Sequence, residues 1–150
     1  MKKFRFRLET LLKFRKMQEE QAQIKLAEAT DRLRKVQELL NDLQNTLALN
    51  LDRLNDEQAG QPTIEKLKTF SYYIDKIKSE IIAQREQVAK ATEYRRECLT
   101  LLEAAIQQRK LVDNLRKKRL EQYNNELLQE EQKILDELGT QAFMRDKESG

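Results

Sequence analysis

The sequence predicts an all-α fold, a long antiparallel two-helix coiled coil whose C-terminal helix overhangs the first. Three observations carry that prediction. Taking every third and fourth position from Leu67 gives Leu67, Phe70, Ile74, Ile77, Ile81, Gln84, Val88, Ala91, Arg95, Cys98, Leu102, Ala105, Arg109 and Val112. Most are apolar, and the spacing is that of a coiled-coil seam. A single glycine–proline break, Gly60 and Pro62, interrupts an otherwise continuous helical pattern. The arm after the break is longer than the arm before it, so a hairpin must leave residues unmatched.

Composition supports the same class. The chain has 150 residues, which fits one domain. Charged residues make up 37% and apolar ones 39%, and the apolar ones lie in narrow stripes rather than broad faces. With this periodicity such a mixture indicates long helices, not disorder. Three glycines and one proline leave few places to turn. The net charge of +3 lacks the dense basic field of a dedicated nucleic-acid binder. One cysteine permits no internal disulfide, which fits a cytoplasmic location. No apolar run approaches the roughly 20 residues that span a bilayer. The basic N-terminus is not followed by the apolar segment of a signal peptide.

Met1 to Thr10 alternates basic and apolar residues, and this lead-in is expected to become helix by about Leu8. Glu9 in the opening turn suits a helix N-terminus. Helix one is placed at about 4–57. Its repeat is Ala22, Leu26, Ala29, Leu33, Val36, Leu40, Leu43, Leu47, Asn50 and Leu54. Burying one such leucine is worth roughly 1.5–3 kcal/mol, against a few tenths for an exposed ion pair. The stripe therefore decides pairing. Asn50 is its polar exception and would fix register at some cost.

The turn is placed at about 58–63. Gly60 suits the positive φ of a helix end, Pro62 the entry to the next helix, and Thr63 its N-cap. So short a link makes the helices antiparallel neighbours. Helix two is placed at about 64–138, stopped by Gly139, with a loose tail over 139–150. Folding back about this turn puts Phe4 near Lys117. Beyond Val112 the stripe shifts to Leu120, Tyr123, Leu127 and Ile134, the mark of a stutter. Leu128, Leu135 and Leu138 widen it where helix one has ended. Apolar residues without an internal partner make a docking or dimer surface.

No catalytic chemistry is indicated. The chain has no histidine, the usual neutral-pH acid–base group and metal ligand. Cys98 falls in the seam and reads as a small buried apolar residue. The acidic pairs Glu130–Glu131 and Asp136–Glu137 would lie on a convex surface rather than in a cleft. No phosphate-binding glycine loop is present. No cofactor is implied, and no metal.

Charge and aromatic residues mark the two ends. Lys2, Lys3, Arg5, Arg7, Lys13, Arg15 and Lys16 should lie beside Arg109, Lys110, Arg116, Lys117, Lys118 and Arg119. Glu9, Glu19, Glu20, Asp113 and Glu121 offset part of that charge. Arg95 and Arg109, on the seam, are expected to snorkel outward. The cluster reads either as ordinary solvation of a helix pair or as a surface for an acidic partner, nucleic acid or membrane. Beyond Glu126 the sign reverses. Near the turn, Phe70, Tyr72, Tyr73, Ile74 and Ile77 form an aromatic patch that a two-stranded seam buries on one face only. Its two readings are capping of the hairpin and a protein contact.

The opening Phe4-x-Phe6-x-Leu8-Glu9-x-Leu11-Leu12-x-x-Arg15, with Glu19, Ala22, Leu26 and Ala29, resembles the N-terminus of the flagellar export protein family FliJ. Lys118-Arg119-x-x-x-Tyr123, then Glu131-Gln132-Lys133-x-x-Asp136-Glu137, is similar to its C-terminal part, and Phe143 to its closing aromatic. Ala142 stands where that region usually has an arginine. The resemblance implies a cytoplasmic, non-catalytic component of the flagellar type III export apparatus, peripheral at the membrane through its partners. It implies a fold similar to the central stalk of rotary ATPases. Its implied partners are the export ATPase FliI as a hexamer, the export-gate protein FlhA and free export chaperones. By that resemblance Phe4, Leu8, Leu11, Lys118, Tyr123, Glu131, Gln132, Asp136 and Glu137 face the ATPase, while Phe70, Tyr73, Ile74 and Ile77 are candidates for the gate. The alternative is a structural homodimeric coiled-coil adaptor joined through the overhang.

Overall fold

The computed structural model describes residues 3–149; Met1, Lys2 and Gly150 lie outside the described residues. Two helices account for nearly all of it. Helix α1 spans Glu9–Ala59 and α2 spans Ile64–Ser149. Among the described residues there is no strand. The fold is the all-α, antiparallel two-helix coiled coil, with the end of α2 unmatched.

Three boundaries differ from expectation. Residues 3–6 carry no regular structure, and α1 begins at Glu9 rather than near residue 4. The buried Phe6 ring anchors this lead-in, and the Phe6 carbonyl accepts a hydrogen bond from the Glu9 amide at 3.1 Å. At the other end α2 does not stop at Gly139. It runs on to Ser149, so the expected loose tail over 139–150 is helical through its described part. Gly139 does not adopt positive φ, so it forms no left-handed cap. A glycine inside a helix costs about 1 kcal/mol relative to alanine, which lowers local stability without ending the helix. Helix α1 also ends at Ala59 rather than at about residue 57. Phe4 faces Tyr123 instead of Lys117, because the non-helical residues 3–6 extend further per residue than a helix does.

The turn works through different residues from those anticipated. Gly60 keeps negative φ, and Gln61 takes the left-handed conformation, with φ of 58°. Thr63 is the N-cap: its Oγ1 accepts a hydrogen bond from the Lys66 amide at 3.3 Å. Pro62 stands just before it. A non-glycine residue in the left-handed region costs roughly 1–2 kcal/mol. Gln61→Gly is accordingly expected to raise stability by about 0.5–1 kcal/mol, read as a higher denaturant midpoint at unchanged slope.

The chain divides into two compact units. In a helix pair each turn touches only its immediate neighbours, so no single core gathers the whole length. Residues 20–104 form the unit around the turn. Its core is Ala29, Ile74, Ile77, Ile81, Ala91 and Cys98, all buried. The α1 stripe from Ala22 to Leu54 is buried or half-buried at every expected position. Two polar seam residues cross between the helices. Gln84 Nε2 donates to the Val36 carbonyl at 2.9 Å, and Arg95 Nε donates to Thr30 Oγ1 at 2.9 Å.

Asn50, expected to fix register, does not reach across. It is 8% exposed, and its Nδ2 donates to the Thr46 carbonyl of its own helix at 2.7 Å. The polar contacts between the helices of this unit come instead from Gln84 and Arg95. Asn50→Leu exchanges a self-satisfied amide for apolar burial on a side chain of the same branching. It is expected to stabilise the unit by about 1 kcal/mol with the same helix pairing, measured by chemical denaturation.

Candidate functional site

The second unit comprises residues 1–19 and 105–150. Counting back from Ala22 in the same repeat gives Glu19, Arg15, Leu12 and Leu8, and these are the residues turned inward. Leu12, at 2% exposure, is the apolar anchor. On α2 the half-buried seam residues are Ala105, Arg109, Val112, Arg116, Leu120, Tyr123 and Leu127, with Ile106 and Asp113 half-buried beside them. Two successive four-residue steps, Val112 to Arg116 to Leu120, replace the alternating step, which is the stutter the stripe predicted.

Much of this seam is ionic. Arg109, expected to carry its charge outward, instead pairs with Glu19 across the helices; their side chains are only 23% and 15% exposed. Asp113 lies 3.8 Å from the same guanidinium and 3.6 Å from Lys117 Nζ. Nearer the chain start, Arg116 Nε donates to Glu9 Oε2 at 3.1 Å. Arg15 Nη1 donates to Gln108 Oε1 at 2.6 Å. The basic residues drawn together here are thus balanced from within at Glu9, Glu19 and Asp113, three of the acids singled out for it.

Beyond that seam the unit offers two surfaces of opposite sign. One is a cavity of about 740 Å³ lined by Lys3, Phe4, Arg5, Arg7 and Tyr123. The Phe4 and Tyr123 rings close one side, with centroids 5.6 Å apart and planes at 52°. The Arg119 guanidinium lies 6.0 Å from the Phe6 ring centroid, a cation–π contact that holds a further positive charge nearby.

The other surface is the end of α2. Its stripe continues past Leu127 as Leu128, Ile134, Leu135 and Leu138, between 55% and 62% exposed. Every described residue from Leu128 to Glu148 is exposed. Helical geometry at 100° per residue places those four apolar residues and Glu131 on one face, in line with the covered Leu120 and Leu127. Glu130 and Glu137 border it, while Asp136 lies on the far side of the helix. Gln132 Nε2 donates to Asp136 Oδ1 at 3.1 Å along the outer surface.

The candidate residues therefore fall into separate groups. Phe4, Leu8, Leu11 and Tyr123 are half-buried in their own unit, and Lys118, Glu131, Gln132, Asp136 and Glu137 are exposed. Leu12 and Phe6 are the more deeply buried neighbours of Leu8 and Leu11. The repeat counted back from Ala22 would have found Leu12. In the turn unit, Ile74 and Ile77 are 4% and 3% exposed, so they belong to the core and have no surface to offer a partner. Phe70 is half-buried, while Tyr73 at 44% and Tyr72 at 75% are the accessible aromatic residues. Cys98 is buried, and the Tyr94 hydroxyl hydrogen-bonded to it has its pKa raised by that bond.

No cluster of potential metal ligands occurs among the described residues. No described helix is long and apolar enough to cross a membrane. What these helices present is one basic, aromatic-lined surface and one acidic, apolar one, and the protein is of the all-α coiled-coil class. Residues 4–148 match the family model described as Flagellar FliJ protein, and the chain belongs to that family. It is a non-catalytic component of the flagellar export apparatus, associated with its ATPase and gate system. Among solved structures, CT670 from Chlamydia trachomatis, described as a YscO homolog, shares the fold at 17% identity. The match covers 99% of this chain and 100% of that one, with a TM-score of 0.61. No curated protein sequence matches significantly.

Proposed function

We propose that the protein acts as a stalk-like docking element of the flagellar export ATPase, seated through the unit that holds both chain ends. The supporting observation is the stripe of Leu128, Ile134, Leu135 and Leu138, which continues the seam with nothing covering it. A partner socket with apolar walls and a basic rim fits that stripe. The cavity at Phe4 and Tyr123 suits an acidic segment of the same ring. Docking that differs between ring subunits biases their states, which is how a protein without catalytic groups regulates an ATPase. In this reading it works in the cytoplasm, reaching the membrane through the gate protein, with Tyr72 and Tyr73 as the exposed contact beside the half-buried Phe70. Free export chaperones are its other clients.

The test is co-purification with the export ATPase, with and without nucleotide, comparing the full chain with a form ending at Glu126. Retained binding and stimulation by the full chain, lost in the shorter form, supports the reading. Equal binding and stimulation by both overturns it.

A further inference from the structure

The turn unit carries a groove that neither the core nor the aromatic patch uses. It has a volume of about 380 Å³ and is walled by Leu47, Ala48 and Leu51 of α1 and by Ile81 and Ile82 of α2. Ile82 is 62% exposed and Leu51 39%, so the groove is apolar and open. Lys78 and Arg85 stand at its α2 side. Both are exposed, and neither has an ion pair among the described residues. Their situation differs from that of Arg34, which bridges Asp31 and Glu38 on its own helix at 2.8 and 2.7 Å. By helical geometry Lys78, Ile82 and Arg85 lie on the flank of α2 opposite Tyr73.

Two cations seven residues apart are about 10.5 Å apart along a helix. An occupant must bring apolar side chains for the floor and two carboxylates at the same spacing. The end of α2 has that pattern. Ile134, Leu135 and Leu138 are exposed, and Glu130 and Glu137, also seven apart, border them. Neither glutamate has an ion pair among the described residues. A tail whose acids bordered its stripe at another spacing would satisfy one cation and leave the other unpaired beside apolar surface.

We infer that this groove receives the α2 tail of a second copy of the same chain, Glu130 and Glu137 meeting Lys78 and Arg85 over a floor of Ala48, Leu51 and Ile82. The contact joins two different surfaces, so it is heterologous rather than self-matched. It covers the tail's apolar stripe in the absence of another partner. It goes beyond the proposed ATPase docking and does not depend on it, because it is read on the protein alone. If the ATPase takes the same tail, binding there releases the self-complex.

Sedimentation of the full chain over a hundredfold concentration range tests it at low and at high salt. Self-association that weakens with salt is expected. Reversing the groove charges (K78E/R85E) or the tail charges (E130K/E137K) is expected to weaken it at least tenfold each. Combining all four reversals restores it. Because all four side chains are exposed, helix content by circular dichroism stays unchanged in every variant. A monomer throughout overturns the inference, leaving the groove for another acidic helix. Association indifferent to either pair of reversals, or not recovered in the fourfold variant, overturns it equally and points to contacts between tails or other faces.

Discussion

Arg109→Leu is expected to destabilise the unit holding the chain ends by about 2–3 kcal/mol. Breaking a fully buried pair costs roughly 3–5 kcal/mol, because the remaining charge is stranded. The side chains of Arg109 and Glu19 retain 23% and 15% exposure, so water recovers part of that loss. Glu19→Leu should cost a similar amount, although Asp113 still faces the stranded guanidinium at 3.8 Å. The double variant, with leucine at both positions, extends the apolar seam and should return to within about 1 kcal/mol of the parent or exceed it. Denaturant unfolding of all four proteins gives the coupling directly. Amide exchange in 105–127 and in 9–19 localises the effect to this unit. Additive single losses would show that the two side chains do not act as a pair.

The same residues mark where the sequence was legible and where it was not. The 3-4 repeat specifies which side chains turn inward because burial is period-driven: one-third of a helix surface can be covered by one neighbour, and Ile74, Ile77 and Ile81 fall there without ambiguity. Polar residues on the repeat are a different matter. Periodicity places Arg109 on the seam but does not say whether its long side chain reaches outward to water or across to an acid. That depends on Glu19, which stands at an equivalent position of the other helix. Asn50 shows the converse, since its amide can be satisfied by its own helix and so need not reach across. Gln61 was not legible at all, because a glycine stands next to it and local preference assigns the positive φ there.

The exposed end of α2 was legible as a candidate region rather than as a contact set. Unequal arms predict an unmatched end of α2, and that end is exposed. Yet the patch at Phe70 to Ile77 mixes two roles that spacing alone does not separate: Ile74 and Ile77 lie in the seam, Tyr72 and Tyr73 outside it. Gly139 misled for an energetic reason. Its penalty is about 1 kcal/mol, small beside the cooperative gain of extending a helix already formed. The helix-favouring residues on either side carry it through.

The uncovered end of α2 gives the largest functional effect expected. Ile134→Gln with Leu138→Gln should weaken binding to the export ATPase on the order of a hundredfold while leaving the unfolding transition in place. Each side chain is more than half exposed in the free protein, so little stability depends on it. Burial against a socket is worth roughly 1.5–3 kcal/mol for a whole side chain, and every 1.4 kcal/mol is tenfold in affinity. Glutamine keeps the helix propensity of the tail, so the loss would not reflect unwinding. The measurement belongs at protein concentrations below any self-association, with the ATPase in excess. Lys118→Glu provides the contrast: altering an exposed charge outside the stripe should act mainly on association rate and its salt dependence. If the glutamine pair binds as tightly as the parent, the stripe does not enter the ring and the docking surface lies elsewhere. If it loses both binding and thermal stability, the stripe packs against its own chain in solution, and its exposure is the premise that fails.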